Sequence, residues 1–166
     1  MLKLAEVNAL DPELFTIRLR PVFEHSPWVA ARTAGAGPFG SREELHATLC
    51  RTVRQAHEDE KLALIRAYPD LVGDAVLTNE SRVELKSAGL ADLSPDEIER
   101  FRDFNQCYRE KFGFPFVICA RLNKKDAILK AFPLRLKNSR EQEIETALGE
   151  IFKIAKLRLR DLIPSA

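Results

Sequence analysis

Signals that begin helices recur along this sequence, and they constrain its fold more than any other feature. Ser94 precedes Pro95 and stands three residues before Glu97, so a capping side chain, a proline at the first helical position and a capping-box partner occur together. Asp11 followed by Pro12 is a second start of the same kind. Such starts fix where a chain becomes helical, and apolar residues at helical spacing follow each of them.

The same reasoning divides most of the chain into helices. Helices are predicted from Asp11, over 27–34, from Ser41, over 57–67, over 78–88, over 94–113, after Lys124 and over 139–162. Pro133 is expected to kink or end the helix in which it lies. Only FPFVICA, residues 114–120, is aromatic and β-branched enough to predict an extended segment. We therefore predict an all-α fold, a single-domain helical bundle over residues 1–166 with one short extended segment.

Composition narrows the class of protein. A chain of 166 residues has about the length of one domain, and its net charge of +1 gives no electrostatic reason to expect a nucleic acid or an anionic membrane as partner. No apolar run approaches the roughly 18 residues that span a bilayer, and no secretory signal is evident, so a cytoplasmic location is expected. Three cysteines without CxxC spacing and three scattered histidines predict no disulfide framework and no metal site.

Taken one at a time, the candidate chemical groups have structural interpretations. His25, in FEHSPWVA, is expected to bond to a nearby backbone group rather than to act in catalysis. Ser81 and Glu84, three residues apart, have the spacing of a helix cap. Arg158 is one of many basic residues on the last helix, where extension into solvent is the ordinary outcome. Tyr68 directly precedes Pro69, which predicts a helix end and a fixed side-chain direction.

Taken in order, the motifs are more specific than any one of them. FEHSPWVA, PDLVG, LTNESRVE, LSPDEIERF, FNQCYREKFGFPFVICA and EIFKIAKLRLRDL together resemble the OHCU decarboxylase family over residues 5–163. OHCU is 2-oxo-4-hydroxy-4-carboxy-5-ureidoimidazoline, an intermediate between urate and allantoin. The resemblance implies an all-helical, cofactor-independent carboxy-lyase, usually a homodimer, that acts on this small molecule and forms (S)-allantoin.

The resemblance also implies a site. The family uses a histidine in an HPDL motif, a serine and a Glu-Gln pair in a helix reading SxxEQ, an arginine of the last helix, and backbone groups after FGFP. On this chain the catalytic positions are Tyr68, Glu84 and Arg158. The substrate-binding positions are Pro69, Ser81, Arg82, Val83, Leu85, Phe116, Val117, Ile118, Cys119 and Ala120.

Two of these positions depart from the family pattern. The chain reads YPDL in place of HPDL, and Leu85 stands where the glutamine is expected. A tyrosine ordinarily ionises near pH 10, so it is a poor general base at neutral pH but keeps an O–H that donates. Three hypotheses follow: decarboxylation of OHCU with a phenol in the histidine's role, action on a related heterocyclic or carboxylate substrate, or a catalytically inactive helical binding module.

Overall fold

The computed structural model describes residues 1–164. Within that part the protein has nine α-helices and no assigned strand, which confirms the all-α prediction. The helices are α1 (Leu4–Ala9), α2 (Pro12–Leu19), α3 (Trp28–Thr33), α4 (Arg42–Arg54), α5 (Glu58–Arg66), α6 (Asn79–Ser87), α7 (Pro95–Phe112), α8 (Lys125–Leu136) and α9 (Arg140–Leu162). Short 3₁₀ turns lie at Arg20–Val22 and Ala120–Leu122.

The strongest start signals act as the sequence predicts. The Asp11 carboxylate accepts a hydrogen bond from the backbone N–H of Leu14 at 2.8 Å. The Ser94 hydroxyl accepts from the Glu97 N–H at 3.2 Å, and the Glu97 carboxylate accepts from the Ser94 N–H at 3.0 Å. At the other end of α7, Gly113 adopts φ 79°, a left-handed conformation that glycine reaches without strain. These bonds satisfy backbone groups that a helix end leaves without partners.

Three details differ from the sequence expectation or refine it. Helix α1 was not predicted, because its six residues show too little periodicity to be recognised. Pro133 does not end α8, which continues to Leu136. The FPFVICA segment is non-helical as expected over residues 115–119, but the described chain offers it no sheet partner.

The described chain forms two compact units, the first made of residues 1–67 together with residues 152–164, and the second of Tyr68–Ile151. In the first unit α3 packs against both α2 and α4. The rings of Phe15 and Phe39 stack in its core with centroids 6.1 Å apart. The prediction of one domain over residues 1–166 stays a prediction.

The second unit has an aromatic core in which α7 packs on α8. Phe132 of α8 stacks on Phe104 at 5.1 Å and on Phe116 at 3.8 Å between ring centroids. Tyr108 meets the Phe116 ring edge-on at 5.3 Å. Phe116 is therefore clamped between two helices, and this contact fixes where the extended segment begins. No helix within residues 1–164 has the length and hydropathy that crossing a membrane requires.

Candidate active site

Tyr68 lies in a turn whose position is fixed by an ion pair. Helix α5 ends at Arg66, and the Tyr68 side chain two residues later is only 5% exposed. Asp70 accepts from the Arg109 Nε of α7 at 3.0 Å, which anchors the turn to that helix. Pro69 between them is half-buried. The sequence expectation of a helix end with a directed side chain holds, and the phenol is enclosed by protein.

Helix α6 presents two polar side chains on its buried face. Ser81 is 4% exposed and Glu84 is 8% exposed, and both lie on one side of the helix because three residues make nearly one turn. The expectation that their spacing reflects a cap is wrong: Thr78 is the N-cap, and its hydroxyl accepts from the Ser81 N–H at 3.2 Å. A buried carboxylate that does not cap its helix requires another explanation.

The other predicted residues of α6 differ in exposure. Leu85 is half-buried, whereas Arg82 and Val83 are exposed. Side chains on the exposed face point away from Ser81 and Glu84. Substrate binding at these three positions stays a prediction. Because the side chains of Arg82 and Val83 are exposed, their backbone groups lie closer to the buried face than their side chains do.

The extended segment uses its backbone groups in two different ways. All five residues from Phe116 to Ala120 are buried. The Val117 carbonyl accepts from Arg135 Nη1 at 2.6 Å, and the Cys119 N–H donates to the Glu150 carboxylate at 3.1 Å. The backbone of Ile118 between them makes no hydrogen bond with any group in residues 1–164.

This alternation follows from the geometry of extended backbone. Successive residues in such a segment direct their N–H and C=O groups to opposite sides. Val117 and Cys119 bond to side chains of α8 and α9, so the groups of Ile118 face the other way. One donor and one acceptor are thus available side by side. That pattern fits the amide edge of a planar ring.

The charge of Glu84 is felt at this segment. Burial raises the pKa of the Cys119 thiol, and the carboxylates of Glu150 and Glu84 raise it further. Helix α6 also packs on the turn Ala120–Leu122 that follows the segment. The buried face of α6 therefore lies near residues 116–120, which we call the FVICA segment, and the Glu84 carboxylate acts on that segment. Cys119 remains a neutral thiol in it and has no character of a nucleophile.

The sequence analysis did not identify a buried hydrogen-bond network around Glu143, which lies on the side of the segment where the Val117 carbonyl bonds to Arg135. Glu143 is fully buried and accepts from Tyr108 Oη, from Arg135 Nε at 2.8 Å and from Asn138 Nδ2 at 2.8 Å. A sequence signal did exist. Glu143 and Glu150 are seven residues apart on the apolar stripe of α9, where a charged residue normally has a bonded partner.

Arg158 belongs to the first unit and is buried there. Its side chain donates from Nη1 to the Pro21 carbonyl at 3.0 Å and to the Glu24 carboxylate at 3.2 Å. Arg158 is 6% exposed and Glu24 is 3% exposed. The expectation that this arginine extends into solvent is wrong, because a buried carboxylate holds its guanidinium inside. Glu24 is a residue that sequence reasoning missed, although it stands in the EHSPW string.

His25, beside Glu24, is placed differently from the expectation. It adopts φ 44°, its side chain is exposed, and its ring forms no hydrogen bond with residues 1–164. The expected bond to the nearby backbone is therefore wrong. No three His, Cys, Asp or Glu side chains of the described chain are grouped so that they could hold a metal ion.

Comparison with known proteins assigns the chain to a family. The family model for OHCU decarboxylase matches residues 8–160. A 2-oxo-4-hydroxy-4-carboxy-5-ureidoimidazoline decarboxylase of Haloferax volcanii is 41% identical over 164 residues, which are 99% of this chain and 98% of that protein. A uric acid degradation bifunctional protein of Bacillus subtilis is 36% identical over 98% of this chain, which spans 33% of that longer protein.

Solved structures agree with the sequence relatives. A crystal structure of (S)-allantoin synthase superposes with a TM-score of 0.77 at 28% identity and covers 98% of this chain and 54% of that chain. A crystal structure of OHCU decarboxylase in the presence of (S)-allantoin gives a TM-score of 0.71 at 26% identity, covering 84% of this chain and 93% of that one. On the family match and these relatives, the chain belongs to the OHCU decarboxylase family.

Proposed function

We propose that this protein decarboxylates 2-oxo-4-hydroxy-4-carboxy-5-ureidoimidazoline to (S)-allantoin in the breakdown of urate. The observation that carries the proposal is the buried Ser81–Glu84 face of α6. Its charge acts on a segment in which the Ile118 backbone has no hydrogen-bond partner within the described residues 1–164. Relatives with nearly the same length carry the decarboxylase name. The protein is accordingly an enzyme that acts on a small molecule.

The reaction sets specific demands on the protein. The bond from the ring carbon to its carboxylate breaks, carbon dioxide leaves, and the electron pair passes into the conjugated imidazoline ring. The ring nitrogen that receives the electron pair takes up a proton. A second proton then adds on one face to the neighbouring ring carbon, which carries the ureido group, while the hydroxyl on the decarboxylated carbon gives up its proton and becomes a carbonyl; this gives a single enantiomer of allantoin. Because the ring itself accepts the electrons, the protein has to hold the carboxylate out of the ring plane, stabilise charge on the ring and supply the proton.

Each proposed residue has a role that its chemistry permits. The Glu84 carboxylate accepts from ring or ureido N–H groups, and the Ser81 hydroxyl donates or accepts beside it. The Ile118 backbone pairs with an amide edge of the ring. Arg158 offers a planar guanidinium suited to an anionic or ureido group. Pro69, Arg82, Val83, Leu85 and the remaining positions of 116–120 are proposed as lining groups.

Tyr68 is proposed as the proton donor in the place that the family gives to histidine. A tyrosine phenol is ordinarily neutral at pH 7, so it has a proton to give when charge develops on the substrate. Its burial excludes water, which would otherwise deliver a proton to either face. Stereospecific protonation is therefore the part of the reaction that should depend most on Tyr68.

The first experiment measures this activity directly. Urate is oxidised in situ to OHCU, the purified protein is added, and circular dichroism follows optically active allantoin. We expect the signal to appear faster than the spontaneous reaction, which gives a racemate without signal. Tyr68→Phe is expected to lower the turnover number by about 10²- to 10⁴-fold, the range for removing a general acid. A wild-type rate equal to the background would refute the proposed function.

The chain contains a matched control for this variant. Tyr108 is the only other tyrosine, and it is buried in the network around Glu143. Tyr108→Phe removes the same hydroxyl and is expected to affect stability with little effect on the turnover number. Equal losses of turnover in the two variants would argue against a specific role for Tyr68.

A second candidate function is action on a related heterocyclic or carboxylate substrate, favoured by the identities of Tyr68 and Leu85. The double variant Tyr68→His with Leu85→Gln distinguishes the two. Higher turnover of OHCU in this variant is expected if the pocket retains the family substrate. The different substrate would be favoured by two results together: the wild-type protein does not turn over OHCU, and the double variant folds but does not gain this activity.

We also propose that the protein is a cytoplasmic homodimer, as the family resemblance implies. Light scattering on the purified protein measures the mass of the particle in solution. A mass near twice 18.8 kDa is expected. A particle with the mass of one chain would refute the dimer.

A further inference from the structure

Helix α7 carries the loop that contains Tyr68 along one of its faces. Asp70 pairs with Arg109 at 3.0 Å, and Asp74 pairs with Arg102 at 3.9 Å. Residue numbers rise along the loop from Asp70 to Asp74, whereas those of their partners on the helix fall from Arg109 to Arg102. The loop therefore runs antiparallel to α7. Arg102 and Arg109 are seven residues apart and share one face. Any residue between them at helical spacing lies beneath the loop.

Asn105 is the residue in that position. It stands three residues after Arg102 and four before Arg109. At 3.6 residues per turn it is rotated around the helix by about 40° from Arg109, toward the core, and by about 60° from Tyr108, toward the loop. Tyr108 holds the Phe116 ring at 5.3 Å. Asn105 therefore points between the Tyr68 loop and the start of the FVICA segment.

The amide of Asn105 is buried, and no group in the described part of the chain bonds to it. The residue is 6% exposed, and within residues 1–164 no group bonds to either its Oδ1 or its Nδ2. Gln106 carries the same amide on the exposed face of the helix and donates to Glu110 at 3.0 Å. Leaving a buried amide unpaired is unfavourable, and native proteins rarely do so without a functional reason.

We propose that Asn105 is a further substrate-binding residue, whose amide bonds to an amide or ureido edge of the substrate. The inference rests on the proposed function, since it takes its ligand from there. Asn105 offers one acceptor and two donors, the same groups that are absent at Leu85 relative to the family pattern. On this proposal Asn105 and the Ile118 backbone each supply hydrogen-bonding groups to a ligand rich in N–H and C=O groups.

The test replaces the amide by apolar groups of two sizes, Asn105→Leu and Asn105→Ala, with Gln106→Leu as the matched control. In the circular dichroism assay we expect kcat/KM of both Asn105 variants to fall by about 10- to 100-fold, mainly through KM. The control is expected to keep the wild-type value. Without ligand, the thermal midpoint of Asn105→Leu is expected to stay the same or rise, because the variant removes a buried amide that has no bond to lose. If Asn105 had a purely structural role, its amide would be bonded and the midpoint would fall.

Binding of (S)-allantoin by calorimetry separates this inference from the proposed function. Weaker binding to both Asn105 variants, with wild-type binding to Gln106→Leu, supports the role of Asn105 even where turnover of OHCU is absent. Wild-type kcat/KM or binding in either Asn105 variant overturns the inference and leaves the proposed function standing. A wild-type protein with neither turnover nor binding overturns both. A large fall in the thermal midpoint of Asn105→Leu would make the residue structural and also overturn the inference.

Discussion

Two buried polar side chains three residues apart on α7, Asn105 and Tyr108, differ in their hydrogen bonding. The Tyr108 hydroxyl donates to Glu143 and also lies 3.4 Å from Arg135 Nη2. The Asn105 amide has no partner in residues 1–164. Both side chains are more than 90% buried, so exposure does not explain the difference. The neighbouring helices do: α8 and α9 bring Arg135 and Glu143 to the Tyr108 hydroxyl, and within residues 1–164 no such group reaches the Asn105 amide.

On the side of the FVICA segment that faces α8 and α9, buried polar groups have hydrogen-bond partners. Arg135 and Glu150 hold the Val117 carbonyl and the Cys119 N–H, and Glu143 in turn holds Arg135. On the other side, the Ile118 backbone has no hydrogen-bond partner among residues 1–164. These hydrogen bonds hold one side of the segment to α8 and α9, and the other side is the one proposed above to bind the ligand. Holding a binding segment in place lowers the ordering that binding and catalysis would otherwise require.

The largest expected effect is on stability, from breaking the bonded side. Arg135→Met removes the partner of a fully buried carboxylate and the donor to the Val117 carbonyl. We expect the free energy of unfolding to fall by about 3–5 kcal/mol, as for other broken buried pairs. Urea denaturation followed by circular dichroism at pH 7 measures it.

Two controls define the origin of this loss. Arg109→Met breaks the Asp70 pair, whose side chains are 47% and 28% exposed, and is expected to cost no more than about 1 kcal/mol. Arg135→Met combined with Glu143→Leu removes both charges and should recover most of the stability. A loss below about 1 kcal/mol in Arg135→Met alone would show that the network does not stabilise the fold.

A smaller effect is expected at Tyr108, and it depends on pH. Burial raises the pKa of Tyr108 above its ordinary value near 10, and the hydrogen bond to Glu143 raises it further. The folded state therefore favours the protonated phenol. This contribution is fully present below pH 10 and is lost as the pH rises from there through the folded-state pKa. Tyr108→Phe lacks the contribution at every pH.

The measurement is the free energy of unfolding of both proteins from pH 7 to pH 11. At pH 7 the variant is expected to be less stable by about 1.5–3 kcal/mol, the value of a hydrogen bond to a charged group. Above pH 10 the gap is expected to narrow because only the wild-type protein loses the phenol's contribution. A gap that is constant or widens with pH would mean that the hydroxyl does not stabilise the folded state in its neutral form.

Most of the fold was predictable because its signals are local. Asp11 and Ser94 each act on backbone groups within three residues, and the left-handed Gly113 ends α7 regardless of what packs nearby. Helix boundaries set by such short-range bonds can be read directly from the chain. Pro133 shows the limit, since packing of α8 outweighs the local preference to end the helix there.

The site was predictable only in part, because burial and pairing are long-range properties. Resemblance indicated Glu84 and Arg158, but the spacing of Ser81 and Glu84 suggested a cap that Thr78 in fact provides. Glu24 lies 134 residues from Arg158, and no local pattern connects them. Asn105 looks like any polar residue of α7 until the loop above it is known. Residues of this kind are identified by their missing or distant partners, which the sequence does not contain.

The smallest expected effect concerns the exposed side of α7, at Cys107. This thiol is exposed, whereas Cys119 is buried with a raised pKa and Cys50 has its pKa raised to about 11 by burial. At pH 8 iodoacetamide is therefore expected to modify Cys107 first, and the adduct should change the free energy of unfolding by less than about 0.5 kcal/mol. Intact-mass measurement should give one adduct on the native protein and three in urea. Rapid labelling of Cys119 in the native state would mean that the FVICA segment opens without global unfolding, so its bonds to Arg135 and Glu150 would not hold it in place.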